Sequence, residues 1–267
     1  MQQIKNSTCF FVSISVLFLI SCNESPTTTE KNDIDTTSVV SNSDTSTMPA
    51  YDPAMEPLTV GAAYAKKLGD TLNIKMYEFT LKPGDSAALH SHPDHTVYVL
   101  QGGKLAVTFQ GTGRQILDLK TGVGFISPRL SDAGKNIGNT TIKLLVQDIY
   151  RSRGSDPSSM PAYDPALEPL TVGAAYSKKL GDTLNIKMYE FTLKPGDSAA
   201  LHSHPDHGVY VLQGGKLAVT FKGTGRQIMD LKTGMGFISG AVSDAGKNIG
   251  STTVKLLVTD IYRPRGR

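Results

Sequence analysis

The sequence predicts an all-β protein in which one barrel- or sandwich-like unit occurs twice in tandem. Three observations lead to this prediction: alternating apolar and polar residues, glycine-rich turns between the alternating segments, and the repetition of a stretch of about 106 residues. No stretch of ten or more residues has the apolar period of 3.6 that would indicate an amphipathic helix. Gly is frequent, at 26 of 267 residues, and Trp is absent. This composition is typical of short strands joined by tight turns.

The repetition is a tandem duplication. The stretch from Met48 begins MPAYDPAMEPLTVGAAY, and the stretch from Met160 begins MPAYDPALEPLTVGAAY. The two copies differ at about thirteen positions, and each has the size of a domain rather than of a solenoid repeat. We therefore expect a domain over 48–153, a linker over 154–159 and a second domain over 160–267. Because near-identical domains can dock through a self-complementary surface, we also expect an intramolecular pseudo-dimer.

The strands of the first copy are expected in chain order. TLNIKMYEFTL (71–81) alternates apolar and polar residues and is predicted as one strand, followed by a turn at KPGD (82–85). HTVYVL and KLAVTF flank QGG (101–103), which predicts a hairpin, and QGTG (110–113) predicts another. RQILDL, GFIS and TIKLLVQDIY complete the predicted strands.

The N-terminus has the pattern of an export signal. Lys5 precedes the apolar run CFFVSISVLFLI, which is too short to span a bilayer comfortably. The run ends in LISC, which resembles a bacterial lipobox with Cys22 as the lipidated residue; an ordinary signal peptide with a chance cysteine is the alternative. We expect a lipoprotein signal peptide over 1–21 and a disordered Ser/Thr-rich tether over 22–47. These place the protein in the bacterial cell envelope, in the periplasm or at the outer membrane.

Charge and cysteine content exclude two classes of protein. The 27 Lys and Arg against 24 Asp and Glu give a net charge of +3, which is too mild to indicate nucleic-acid binding. Both cysteines lie within the first 22 residues, so a disulfide framework for the folded part is excluded.

The histidines occur in two copies of the phrase HSHPDH. His90 and His92 are two residues apart on an extended segment and therefore project from one face. Pro93 and Asp94 favour a bend before His95, which lets three imidazoles converge. Clustered imidazoles on a stiff β-scaffold suit Zn, Fe, Ni, Cu or Mn. The second copy repeats the arrangement at His202, His204 and His207.

The residues around these histidines resemble the first motif of the cupin superfamily, G-x5-H-x-H-x3,4-E-x6-G. Gly84, His90, His92 and Gly102 match the motif. His95 stands where the motif has Glu, and the loop before it is one residue shorter.

The second cupin motif, G-x5-P-x-G-x2-H-x3-N, aligns through Gly122 and Asn136. This alignment places Asp132 where the motif has His. The corresponding residues of the second copy are Gly196, His202, His204, His207, Gly234, Asp244 and Asn248.

The resemblance implies two tandem cupin-type jelly-roll (double-stranded β-helix) barrels with one divalent transition metal in each. Cupins of the usual type present three His and one Glu to the metal, and here the set becomes three His and one Asp. The expected ligands are His90, His92, His95 and Asp132 in the first barrel and His202, His204, His207 and Asp244 in the second.

The same resemblance implies an envelope bicupin that acts on or binds a small organic molecule. Cupin enzymes include dioxygenases, decarboxylases, lyases and isomerases. The alternative is a non-catalytic ligand-binding or structural cupin with degenerate metal sites, because fold alone does not decide function.

Differences between the copies cluster near the expected ligands. Thr96 corresponds to Gly208, and PRL (128–130) corresponds to GAV (240–242). One hypothesis is that the two sites admit different molecules, with Arg129 binding an anionic substrate in the first copy only. The alternative is drift in an exposed loop.

Two further pairs of residues are candidates for the site. Tyr98 and Tyr210 are candidate substrate-binding residues, although aromatic residues in such strands more often pack in the core. Glu78 and Glu190 are either buried acid–base groups or, on the plainer interpretation, solvent-facing side chains.

Overall fold

A computed structural model describes residues 52–154 and 163–265. The predicted signal peptide (1–21), Cys22 and the tether (22–47) lie outside the described residues, as does most of the predicted linker. Within the described ranges, no helix combines the length and the apolar character needed to cross a bilayer.

The first copy forms a five-stranded sheet and a four-stranded sheet, preceded by a 3-10 turn (Pro53–Met55) and a short helix α1 (Pro57–Val60). Its strands are β1 (Ala65–Thr71), β2 (Ile74–Leu81), β3 (Ser86–His92), β4 (Asp94–Gln101), β5 (Gly103–Phe109), β6 (Gly113–Leu119), β7 (Gly124–Ser127), β8 (Leu130–Asn136) and β9 (Ile142–Ile149). The larger sheet has the order β1-β2-β9-β4-β7, and the smaller sheet has the order β3-β8-β5-β6.

The second copy repeats this arrangement, with 3-10 turns at Pro165–Leu167 and Ala174–Tyr176 and helix α2 at Pro169–Val172. Its strands are β10 (Ser177–Thr183), β11 (Ile186–Leu193), β12 (Ser198–His204), β13 (Asp206–Gln213), β14 (Gly215–Phe221), β15 (Gly225–Leu231), β16 (Gly236–Ser239), β17 (Val242–Asn248) and β18 (Val254–Ile261). The sheet orders are β10-β11-β18-β13-β16 and β12-β17-β14-β15. The all-β prediction is confirmed.

Each pair of sheets encloses its own hydrophobic core. In the first copy, Tyr77, Phe79 and Leu81 of β2 pack with Ala87 of β3 and Val146 of β9. Burying side chains of this size contributes about 1.5–3 kcal/mol each, which makes this core a main source of stability.

The two barrels also share a core, because the outer faces of their five-stranded sheets pack together. Ile74 and Ile149 of the first copy meet Ile186 and Ile261 of the second, and all four side chains are fully buried. A neighbouring cluster combines Met76, Tyr98 and Leu145 with Met188, Tyr210 and Leu257. Strands β2, β4 and β9 are therefore buried on both faces, and the barrels belong to one compact unit.

Reciprocal tyrosine–glutamate hydrogen bonds cross the interface. The Tyr98 hydroxyl donates to Glu190 Oε1 over 2.6 Å, and the Tyr210 hydroxyl donates to Glu78 Oε1 over the same distance. The prediction that the two tyrosines line a substrate site is therefore wrong: Tyr98 lies on the face of β4 that meets the other barrel. The solvent-facing interpretation of Glu78 and Glu190 is also wrong, since both are 4% exposed.

Arginine–aspartate pairs join the barrels beside the shared core. Arg151 Nη2 lies 2.7 Å from Asp206 Oδ2, and Arg263 Nη2 lies 2.8 Å from Asp94 Oδ2. Each aspartate also binds an arginine from its own copy: Arg153 pairs with Asp94, and Arg265 pairs with Asp206. Every such contact occurs twice, so the interface has the pseudo-two-fold symmetry expected of a built-in dimer.

Two predicted strand features are wrong. The segment 71–81 is not one strand: Leu72 and Asn73 have φ of 55° and 56° and form the turn between β1 and β2. Two positive φ values are the pattern of a type I′ hairpin turn. The turn is held from both copies, since Arg151 donates to the Leu72 carbonyl and Asn73 Nδ2 donates to the Arg265 carbonyl.

The glycines at 102–103 do not form a hairpin either. Strand β4 pairs with β7 and β9, whereas β5 pairs with β6 and β8, so the chain crosses here from one sheet to the other. Gly102 is required because a side chain there would overlap the Leu119 carbonyl and lie 3.0 Å from Thr121 N. The hairpin predicted at 110–113 is present, since it joins the paired strands β5 and β6.

We expect Asp206→Asn to lower the free energy of unfolding by about 3–5 kcal/mol, because it leaves the fully buried guanidinium of Arg151 without a counter-charge. Chemical denaturation measures this loss. Asp94→Asn provides the matched change in the other barrel and should behave similarly. Asp118→Asn, at an exposed pair with Lys120, should leave stability unchanged. A neutral effect of Asp206→Asn would contradict the assignment of a structural ion pair.

We also expect stability to fall in acid through the same carboxylates. Burial alone would raise the pKa of Asp206, but hydrogen bonds from Arg265 and Arg151 hold it below its usual value, and Asp94 is lowered in the same way by Arg153 and Arg263. A carboxyl group whose pKa is lowered by folding stabilises the folded protein at pH values above its unfolded pKa, which is about 4. This stabilisation is lost as the pH falls through the folded pKa. The part that belongs to these aspartates is measured as the difference in unfolding temperature between the parent and Asp206→Asn, which should be constant above about pH 5 and shrink below about pH 4.

Candidate metal centre

The histidine cluster forms where the chain passes from one sheet to the other. Strand β3 of the smaller sheet ends at His92, and β4 of the larger sheet begins at Asp94. Pro93 therefore provides the predicted bend, and His90 and His92 face His95 from the opposite sheet. The ring centroids of His90 and His92 lie 4.9 Å apart, and those of His92 and His95 lie 4.5 Å apart.

The Nδ1 atom of each imidazole has a hydrogen-bond partner. His90 Nδ1 lies 2.8 Å from the Ala88 carbonyl oxygen, and His95 Nδ1 lies 2.9 Å from the Pro93 carbonyl oxygen. His92 Nδ1 lies 2.9 Å from Asp148 Oδ1. Carbonyl and carboxylate oxygens accept hydrogen bonds, so these Nδ1 atoms carry the protons and the Nε2 lone pairs remain for a ligand.

Asp132 completes a set with two of these rings. It lies on β8 and pairs with His90 of β3 in the sheet register. Its carboxylate oxygens lie 3.9 Å from His90 Nε2 and 3.8 Å from His92 Nε2. One ligand atom from each of the three residues lies within 4.8 Å of the others. This spacing suits a single cation between them, because transition-metal bonds to nitrogen and oxygen are about 2.0–2.2 Å long.

Asp148 is a functional candidate that the sequence interpretation missed. It lies on β9, is 1% exposed, and binds His92 Nδ1 with one oxygen and the Tyr77 hydroxyl with the other, each over 2.9 Å. A buried carboxylate behind a ligating histidine fixes the ring and raises the basicity of its other nitrogen. The signal in the sequence was an aspartate within the apolar strand VQDIY, repeated as VTDIY.

The fourth predicted ligand, His95, falls in a different set. The structure groups it with His92 and Asp148, again within 4.8 Å. Both oxygens of Asp148 already accept hydrogen bonds. We therefore interpret this second set as residues that hold His92 in position, not as a separate cation site. The structure thus brings His90, His92 and Asp132 together, with the His95 ring stacked against His92.

Burial and charge set the protonation of the rings. Burial lowers the pKa of His95 to about 4, and the neighbouring His92 adds to this. Burial also lowers the pKa of His90, against the attraction of Asp132. For His92, burial acts in the same direction, but the Asp148 carboxylate outweighs it and the pKa is raised. His90 and His95 are therefore neutral at pH 7, as metal ligation requires.

The second barrel reproduces the arrangement. His202 Nε2 lies 3.8 Å from Asp244, and the ring centroids of His202, His204 and His207 follow at 4.9 and 4.6 Å. The supporting contacts are the same: His202 to Ala200, His207 to Pro205, His204 to Asp260, and Tyr189 to Asp260.

One of the copy differences lies elsewhere than the substrate hypothesis assumed. Thr96 lies on the interface face of β4, opposite in direction to His95, so the expectation that Thr96 and Gly208 distinguish two substrates is wrong. The Arg129 side chain is exposed, and its backbone amide donates to Asp94 Oδ1, as Ala241 N does to Asp206.

Comparison with known proteins gives matches at the level of structure. No family model and no curated protein matches the sequence. Oxalate decarboxylase from Bacillus subtilis is 19% identical, with a TM-score of 0.51 over 70% of this chain and 68% of the enzyme. Salicylate 1,2-dioxygenase from Pseudaminobacter salicylatoxidans is 13% identical, with a TM-score of 0.50 over 73% of this chain and 75% of the enzyme. Both are cupin-domain proteins.

The chain has the bicupin fold. The prediction of two tandem cupin-type jelly rolls is confirmed. AerE from Microcystis aeruginosa is a third structure similar to this chain, at 14% identity, a TM-score of 0.50 and coverage of 74% of this chain and 96% of AerE.

We expect the metal-free protein at pH 7 to show His90 and His95 as neutral rings protonated on Nδ1, because both are buried beside carbonyl acceptors. Long-range ¹⁵N–¹H correlation spectra of the imidazoles measure this directly. The equivalent signals of His207 should agree. Rings protonated on Nε2 would contradict the geometry of the site.

Proposed function

We propose that each barrel binds one divalent transition metal. His90, His92, His95 and Asp132 hold it in the first barrel, and His202, His204, His207 and Asp244 hold it in the second. The observation that carries the proposal is the hydrogen bonding of every Nδ1 atom, which presents the Nε2 atoms as ligands beside a carboxylate. Imidazole and carboxylate ligands suit Fe, Mn, Ni, Cu or Zn.

The residues present fit such a metal. Three imidazoles and one carboxylate leave one or two positions of a five- or six-coordinate ion for water or a ligand. When bound, the ion supplies Lewis-acid or redox chemistry at these positions. Asp148 holds His92 in place, and Tyr77 holds Asp148 by donating to its second oxygen. Asp132 has the most exposed side chain of the set, at 16% against 8% and 9% for His90 and His92, so a small molecule enters on its side.

We further propose that the protein is an enzyme of the cell envelope that acts on a small organic acid. The two structural neighbours that are named for their reactions act on oxalate and on salicylate, both small carboxylates. Arg129, exposed immediately before β8 and present in the first barrel only, supplies a positive charge for such a substrate. The predicted signal peptide and the lipobox-like LISC with Cys22 support attachment to a membrane by lipid.

The decisive experiment is metal analysis of purified protein after reconstitution with each candidate ion. We expect two equivalents per chain, one after His90→Ala with His92→Ala, and none after the same pair of changes in both barrels. Each single-barrel variant contains the intact second site as an internal reference. Asp118→Asn is the control, because it changes only an exposed ion pair with Lys120. Unchanged stoichiometry in the histidine variants would refute the proposal.

Turnover separates an enzyme from the alternative, a non-catalytic ligand-binding or structural bicupin. The metal-loaded protein should consume dioxygen or release carbon dioxide with at least one member of a panel of small mono- and dicarboxylic acids. If calorimetry shows that an acid binds, but no dioxygen is consumed and neither carbon dioxide nor any other product is released, the alternative is favoured. Arg129→Ala should weaken binding in the first barrel alone.

We expect Cys22→Ser to release the protein from the membrane fraction, because the thiol is the predicted attachment point of the lipid. Fractionation of cells and metabolic labelling with a fatty acid measure this. Wild-type protein without label would show that the N-terminus is an ordinary signal peptide.

A further inference from the structure

The interface between the barrels is almost perfectly self-complementary. The Tyr–Glu hydrogen bonds, the Arg–Asp pairs and the isoleucine cluster each occur twice with the copies exchanged. These symmetric contacts would serve a pair of first barrels, or a pair of second barrels, as well as the mixed pair that the chain contains. They hold barrels together without specifying which barrels.

Four residues at the centre of the interface break this symmetry. Thr96 and Gln147 are register partners on β4 and β9, and Gly208 and Thr259 are register partners on β13 and β18. The two positions differ between otherwise near-identical copies, and all four residues are buried. We refer to Thr96, Gln147, Gly208 and Thr259 as the central quartet.

The two differences meet across the interface. Gln147 Nε2 donates to Thr259 Oγ1 of the other barrel over 2.7 Å. The Gln147 Oε1 atom lies directly over Gly208, where an added Cβ would overlap it and come within 2.9 Å of Gln147 Cδ and 2.8 Å of Met76 Cε. The glutamine of one barrel therefore fills the volume that a side chain of the other barrel would need.

This arrangement includes one unfavourable feature. The buried Oε1 of Gln147 has no hydrogen-bond partner among the described residues, and an unpaired buried acceptor is destabilising. Polar groups retained at such a cost are known to specify partner and register, as a buried asparagine does in a coiled coil.

We propose that the central quartet makes the interface selective: the first barrel accepts a second barrel and rejects another first barrel. In a pair of first barrels, Thr96 would stand under Gln147 on both sides of the axis, and both Cβ atoms would overlap an amide. In a pair of second barrels, Gly208 would face Thr259 and leave the volume of the glutamine unfilled. Only the mixed pair fits, and the chain contains that pair in one molecule.

The inference is tested by changing the pairing within the full chain. G208T/T259Q gives the second barrel the quartet residues of the first, so the overlap occurs on both sides of the axis. We expect the unfolding temperature to fall by roughly 5–15 °C. T96G/Q147T gives both barrels the residues of the second and should cause a smaller fall, since it leaves space rather than overlap.

The four-fold exchange T96G/Q147T/G208T/T259Q is the matched control. It contains both damaging pairs, yet it only reverses which barrel has the glutamine, so it should restore the parent unfolding temperature. If G208T/T259Q matches the parent, or if the four-fold exchange is less stable than the two double variants, the inference is overturned. Recovery in the four-fold exchange distinguishes selectivity from a general intolerance of substitution, even where a double variant fails to fold.

Discussion

The period of two along a β-strand organises this molecule, because the five-stranded sheets are buried on both faces. Successive residues of one strand serve different purposes: His95 of β4 faces the histidine cluster, and Asp94 and Thr96 on either side face the other barrel. On β9, Asp148 supports His92 while Gln147 meets Thr259 across the interface. Strand register therefore fixes both the geometry of the candidate metal centre and the pairing of the barrels.

The sequence was sufficient for the features that depend on local pattern. Alternation, turn glycines and the HSHPDH phrase predict the all-β fold, the duplication and the convergence of the histidines at a Pro-Asp bend. Features that depend on contact between the copies were missed. Tyr98 was predicted as a site residue because the sequence does not show that the second barrel covers its face of the sheet. The Leu72–Asn73 turn was missed because it is held by arginine and backbone groups near the ends of both copies.

Two strands lack the alternation on which the predictions rest. Strand β8, LSDAGKN, was not among the predicted strands because it has no apolar period, and it is only partly buried along most of its length. Strand β9 has the opposite problem: its apolar run conceals Asp148, whose charge is tolerated only beside His92 and Tyr77. A carboxylate in an otherwise apolar strand was the available clue, and it has physical meaning only once a partner can be named.

The asymmetry at Gly208 also has a genetic consequence. Neighbouring repeats this alike are prone to unequal crossing-over, which would leave a gene with one unit or three. A lone unit would expose isoleucines, a methionine and an unpaired arginine on the face that normally meets the other barrel. Two lone units of the first type would fit each other poorly at this face. The small divergence at the centre of the sheets would thus favour inheritance of the two units together, as one gene rather than as interchangeable parts.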